Sequence, residues 1–260
     1  MVTLWRRLKV DLSKTFLLKY FLELSYHGGR YHGWQRQKNV MSVQEELESQ
    51  LSQLLKEPIV VIGCGRTDAG VHASHYVAHI ITNEIPDEHF IFQINKMLPF
   101  DIAIKKIYSV SKQAHAQRDA KVRTYTYHFH GLKNPLRNQV STEIDFDSIN
   151  FDRLDEALEI LKQVNDFAAL CKTPDVYKHT RCTISSIKRS DICHDEFTIS
   201  VSANRFLRGM VRMMIAAAVK VGQGRLTKET LREQVVVRQE RLTHFEQAPA
   251  RGLWLTDVTY

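Results

Sequence analysis

Two hydrophobic periods alternate along this 260-residue chain in the same order twice, and that order constrains the fold more than any other feature. Residues 17–26 read as a strand. Ser42 with Glu45 three places on forms a capping box, and Val43, Leu47, Leu51, Leu54 and Leu55 follow at helical spacing. Strands are expected at 59–62 and 75–82. A second helix, opening near Pro86 with Phe90, Ile91, Ile94, Met97 and Leu98 on its apolar face, precedes a strand at 101–109. The sequence is then repeated in kind but not in letters. In residues 123–130, Tyr125, Tyr127 and Phe129 share one face of a strand, and Thr124, Thr126 and His128 share the other. Next come a helix at 151–164, a hairpin of 183–189 with 197–203, an apolar helix at 206–221 closed by Gly222, a helix at 227–237 and a strand at 253–258.

The order β-α-β-β-α-β is that of a split βαβ unit. The predicted class is α+β: two similar βαββαβ, ferredoxin-like halves forming a continuous, mostly antiparallel sheet, with helices on one side and a central cleft. Residues 1–15 read as a basic N-terminal extension, 16–112 as the first half and 113–260 as the second.

Composition narrows the partners. Lysine and arginine number 36 against 29 acids, a formal charge of +7, which fits a polyanion. Cys64, Cys171, Cys182 and Cys193 form no Cys-x-x-Cys pair, which argues against a thiolate zinc site and fits reduced thiols in the cytoplasm. No apolar run approaches the ~20 residues of a membrane span. The run at 16–24 is broken by Lys19 and Glu23, and the basic stretch 4–9 leads into no signal-peptide core.

The chemistry concentrates in Gly63-Cys64-Gly65-Arg66-Thr67-Asp68-Ala69-Gly70-Val71-His72-Ala73, between two β-type runs. Its glycines permit positive φ and close approach of the backbone. The loop lacks the third glycine of a dinucleotide fingerprint and the Gly-Lys-Ser/Thr of a P-loop. In isolation, Asp68 in Asp-Ala-Gly is most simply a turn cap. His72, His75 and His79 suggest a metal site only on a helix. On a strand His75 and His79 stand ~13 Å apart, too far to share one ion. No base accompanies Cys64, so it reads as a small buried cysteine. Arg208 and Arg212, placed on one helix, share a face at i, i+4, where like charges repel.

Gly65-Arg66-Thr67-Asp68-Ala69-Gly70-Val71-His72 resembles the signature of the TruA-type tRNA pseudouridine synthases. Gly33-Trp34-Gln35-Arg36-Gln37, Arg123-Thr124-Tyr125-Thr126-Tyr127, Met210-Val211-Arg212 and Gly252-Leu253-Trp254-Leu255 extend the resemblance to nearly the whole chain. It implies an isomerase that converts uridine to pseudouridine at positions 38, 39 and 40 of the tRNA anticodon stem-loop, acts as a homodimer and uses no cofactor or metal. It also implies Asp68 as nucleophile, Arg212 as the cation that keeps Asp68 ionised, and Tyr125 as the ring packed on the target base. Arg66 is implied in the space left by the flipped nucleotide, His115 and Arg208 are expected to contact RNA, and Arg118 is expected to do so in place of the arginine absent at Gln117. One segment departs: Ala114-His115-Ala116-Gln117-Arg118 stands where the family often has Phe-His-Ala-Arg-Phe. A rival of another class, a non-catalytic RNA-binding protein on the same scaffold, needs the basic surface and Tyr125 but not Asp68 together with Arg66 and Arg212.

Overall fold

A computed structural model describes residues 17–83, 85, 88–239 and 246–260. The expected basic extension and the helix start at Pro86 lie outside them. The elements in order are β1 (Leu18–Tyr26), α1 (Val43–Leu55), β2 (Ile62–Gly63), β3 (His72–Thr82), α2 (Phe90–Met97), β4 (Ile102–Val110), β5 (Val122–His130), β6 (Thr142–Glu143), α3 (Phe151–Lys162), β7 (Ile184–Arg189), β8 (Glu196–Ala203), α4 (Met210–Gly222), α5 (Lys228–Arg232) and β9 (Leu253–Thr259). The described strands make one mixed, mostly antiparallel sheet in the order β4-β1-β3-β9-β5-β8-β7, with β2 beside β3 and β6 beside β5. The parallel contacts are β3 with β9 and β5 with β6.

Local chemistry accounts for most of these elements. Ser42 accepts a hydrogen bond from the Glu45 N–H, so α1 starts where the capping box places it, and Val43, Leu47 and Leu51 are buried. Asn150 caps α3 in the same way, and Leu154, Leu158 and Leu161 face the core. On β5, Tyr125, Tyr127 and Phe129 are buried while Thr124, Thr126 and His128 are half-buried, as the alternation requires. The polar row is tied across strands by Thr124 to Ser202, Thr126 to Ser200 and Thr126 to Thr256. The opposite face carries the aromatic core, where Phe129 stacks on Phe197 with ring centroids 4.6 Å apart.

Four boundaries differ from the sequence expectation. β3 begins at His72 rather than 75, because His72 and Ala73 pair with Trp254 and Leu255 of β9. β2 shrinks to two residues at 62–63. α4 begins at Met210 rather than 206, since Gly209 at φ +72° takes a left-handed conformation that interrupts a helix, and Gly222 lies inside the last turn. The helix expected over 227–237 divides into α5 and a π-helical segment, Glu233–Arg238.

Candidate active site

The loop between β2 and β3 is fixed mainly through its backbone. The Cys64 N–H bonds to Val77 O at 2.8 Å, and Cys64 is fully buried. Its carbonyl takes two hydrogen bonds from the Arg123 guanidinium, from Nε at 3.0 Å and from Nη2 at 2.7 Å. The Tyr76 hydroxyl donates to Gly65 O at 2.6 Å. Trp34 N–H donates to Thr67 O at 3.1 Å, and the buried Thr67 hydroxyl meets the Tyr26 hydroxyl at 2.9 Å. Gly33, at φ +92°, lies so close to this stretch that a Cβ there would overlap Thr67 O. That packing explains why Gly33-Trp34 sits where it does in the sequence: a side chain at 33 would displace the segment carrying Asp68.

With the loop held, the Asp68 carboxylate remains one-third exposed and faces a cleft of about 870 Å³. Residues of the 64–71, 117–125 and 204–212 segments line the cleft. Arg212, in the first turn of α4, brings Nη1 to 4.0 Å from Asp68 Oδ2. Its Nε donates to Ala248 O at 2.6 Å, and its own carbonyl accepts from the Ala248 N–H at 3.1 Å. Burial lowers the Arg212 pKa, and the Asp68 charge opposes that effect. Tyr125 lines the cleft, buried to 8% exposure, its ring edge-on to Phe206 at 5.1 Å. Burial raises its hydroxyl pKa, with further contributions from Cys64 and Asp68.

Arg66, Arg118 and Arg208 are exposed and line the same cleft. Arg208 precedes α4, so it does not share a helical face with Arg212, contrary to the expected spacing. It is placed instead by its N–H, which donates to the Tyr177 hydroxyl at 3.1 Å, while Arg205 stacks over the same ring at 5.6 Å. His115 is not brought to the cleft wall. Its ring meets His79 edge-on at 4.8 Å, and its Nδ1 accepts from the Gln117 and Arg118 N–H groups. His79 is buried and accepts from the Ala116 N–H, so it belongs to the packing of this segment. Among the described residues, no three histidine, cysteine or acidic side chains converge to hold a metal ion. No described helix is long and apolar enough to cross a membrane. Residue-type reasoning missed Arg123 and Tyr177. The Arg-x-Tyr-x-Tyr pattern contains Arg123, but spacing alone does not reveal which carbonyls it reaches.

Comparison with known proteins identifies the family. Residues 164–260 match the family described as tRNA pseudouridine synthase. The chain is 38% identical over 245 residues to "tRNA pseudouridine synthase A" of Bacteroides thetaiotaomicron, covering 93% of this chain and 90% of that protein. The chain belongs to the tRNA pseudouridine synthase family. Proteins of the same name from Parabacteroides distasonis and Porphyromonas gingivalis are 36% and 35% identical, covering 93% and 94% of this synthase and 96% and 98% of theirs. Membership makes it an isomerase, and the cleft holding Asp68 is its candidate active site.

Proposed function

We propose that this synthase isomerises uridine to pseudouridine in tRNA, at positions 38, 39 and 40 of the anticodon stem-loop, with Asp68 as nucleophile. The observation that carries the reading is the meeting of Asp68 and Arg212, from distant parts of the chain, in the cleft that Tyr125 also lines. The reaction breaks the C1′–N1 bond, turns the uracil, joins C1′ to C5, releases the C5 proton and leaves a proton on N1. It is redox-neutral. Attack by Asp68 at C1′, attack at C6 and removal of a ribose proton all need a free carboxylate oxygen, and Arg212 supplies the adjacent cation. Tyr125 offers a flat ring for an extruded base, and its hydroxyl assists loss of the C5 proton. Arg66, Arg118 and Arg208 supply cations along the cleft for phosphates, with Arg66 entering the space the nucleotide leaves.

We read residues 16–112 and 113–260 as two ferredoxin-like halves with helices on one side of the sheet. The orders β4-β1-β3-β2 and β9-β5-β8-β7 support that reading, because, with the two-residue β6 left out, each follows the same rank order within its half. Homodimerisation and a cytoplasmic setting rest on the family resemblance and, for the second, on four free cysteines. Tritium release from C5-tritiated uridine in unmodified tRNA tests the reaction: stoichiometric release confined to positions 38–40 is expected. A protein that binds tRNA and releases none is a binding module, and the reading fails.

A further inference from the structure

Arg123 makes an unusual set of contacts for a cation beside an RNA-sized cleft. Besides its two bonds to Cys64 O, Nη2 donates to Gln117 O at 2.6 Å, and Nη1 donates to Ala120 O at 3.0 Å and Asn204 O at 2.9 Å. All of these acceptors are main-chain carbonyls, and they come from three separate segments. Cys64 opens the loop that carries Asp68. Gln117 and Ala120 flank the exposed Arg118. Asn204 leads into the stretch with Arg205, Arg208 and Arg212. A guanidinium can join them because its donors form a planar, rigid fork, whereas an ammonium is a compact point charge.

Arg123 also stands two residues before Tyr125 on β5, and β-strand alternation puts both on one face. One row of one strand thus carries both a ring that lines the cleft and the fork that grips the Asp68 loop.

We infer that Arg123 is a positioning residue for the isomerisation: it fixes the Asp68 loop against Tyr125 and against the 117–120 and 204 segments. The inference rests on the reading of Asp68 as nucleophile. It predicts that loss of the fork harms the chemical step, not the affinity for tRNA. With its donors turned onto carbonyls, Arg123 is spent as a phosphate ligand.

The test compares Arg123→Lys with the parent protein in four measurements: melting temperature, tRNA affinity against salt, single-turnover rate at saturating enzyme, and alkylation of Cys64 followed by peptide mapping. Cys64 is fully buried with its thiol pushed up to about 11 by burial, so the closed loop protects it. Arg123→Lys should lower the single-turnover rate at least about tenfold, leave tRNA affinity within about threefold, and speed Cys64 alkylation several-fold. Arg123→Ala should regain rate with ethylguanidinium and not with ethylammonium. This rescue tests the fork directly and remains available if the lysine variant is unstable. A normal single-turnover rate in folded Arg123→Lys overturns the inference. So does weaker binding with a salt slope reduced by about one, which makes Arg123 a phosphate ligand. So does rescue by ethylammonium, which makes charge alone sufficient. Asp68→Asn is measured alongside. If that variant turns over, the nucleophile assignment fails whatever Arg123 does. If it is inactive while Arg123→Lys is normal, the positioning inference falls alone.

Discussion

Asp68 and Arg212 lie 144 residues apart in sequence, yet their charged groups stand 4.0 Å apart, and Arg212 is held for that meeting by Ala248. A carboxylate one-third exposed to solvent needs no cation merely to be soluble. A 16%-exposed arginine carrying a backbone hydrogen bond is a fixed counter-charge rather than a mobile surface partner. The arrangement makes the removal of one charge an informative experiment.

Asp68→Asn keeps shape and turn-capping capacity but removes the charged oxygen that the proposed nucleophilic role needs. Pseudouridine formation should fall to background, with tRNA affinity within roughly tenfold of the parent, ~1.4 kcal/mol. The melting temperature should change little. Turnover within about tenfold of the parent, a barrier change of only ~1.4 kcal/mol, would refute the assignment.

Tyr125→Phe retains the ring against Phe206 and loses the hydroxyl. If the hydroxyl assists loss of the C5 proton, the single-turnover rate should drop by about 100-fold with affinity nearly unchanged. Tyr125→Leu should also lose base stacking, about 1–3 kcal/mol by the range found for single-stranded RNA contacts. Full activity in Tyr125→Phe assigns the residue to stacking alone.

Arg118 is exposed on the segment that departs from the family pattern. Arg118→Ala should weaken tRNA binding and reduce the slope of log affinity against log salt by about one, the mark of one lost phosphate contact. Filter binding across a salt series reads both quantities, and an unchanged slope removes Arg118 from the interface.

His72 is fully buried, its Nδ1 accepting from the Gly28 N–H at 3.0 Å and its Nε2 lying 3.1 Å from Arg251 O. Burial first, and then neighbouring His27, lowers its pKa to about 4. An unfolded chain binds a proton here below about pH 6.5 that the fold refuses until about pH 4. The linked stability is therefore present above pH 6.5 and lost as pH falls through that window, about 1–2 kcal/mol by pH 5. His79, also lowered to about 4, acts with the same sign. Urea unfolding at pH 7.5 and pH 5 should show a smaller difference for His72→Gln, which keeps a donor and an acceptor but no titratable proton. An equal difference would unlink His72 from acid sensitivity.

Local signals carried much of the architecture. The capping box at Ser42, the leucine spacing of α3 and the alternation of β5 are interactions between near neighbours, so sequence patterns record them. The family signature pointed to Asp68, Tyr125, Arg66 and Arg212, and the fold brings all four to one cleft. Distant partners decided the rest. The start of β3 depends on Trp254, which no window around His72 contains. The start of α4 depends on the left-handed Gly209, and with it goes the expected helical pairing of Arg208 and Arg212. His115 turns onto His79, whose Nδ1 also accepts from the Ala116 N–H, a contact that sequence spacing does not encode.

The two-residue parallel pairing of β3 with β9 has a kinetic consequence. His72 and Trp254 are 182 residues apart, so this junction requires one of the largest loop closures in the molecule. Contacts of such separation form slowly, while the pairings of β1 with β3 and β4 and the β7–β8 hairpin can organise from nearer neighbours. During refolding, strand content should therefore recover before the cleft closes. For that interval the +7 chain is expected to capture tRNA without modifying it. Stopped-flow refolding with far-ultraviolet circular dichroism, tRNA binding and tritium release followed in parallel should show those three signals returning in that order.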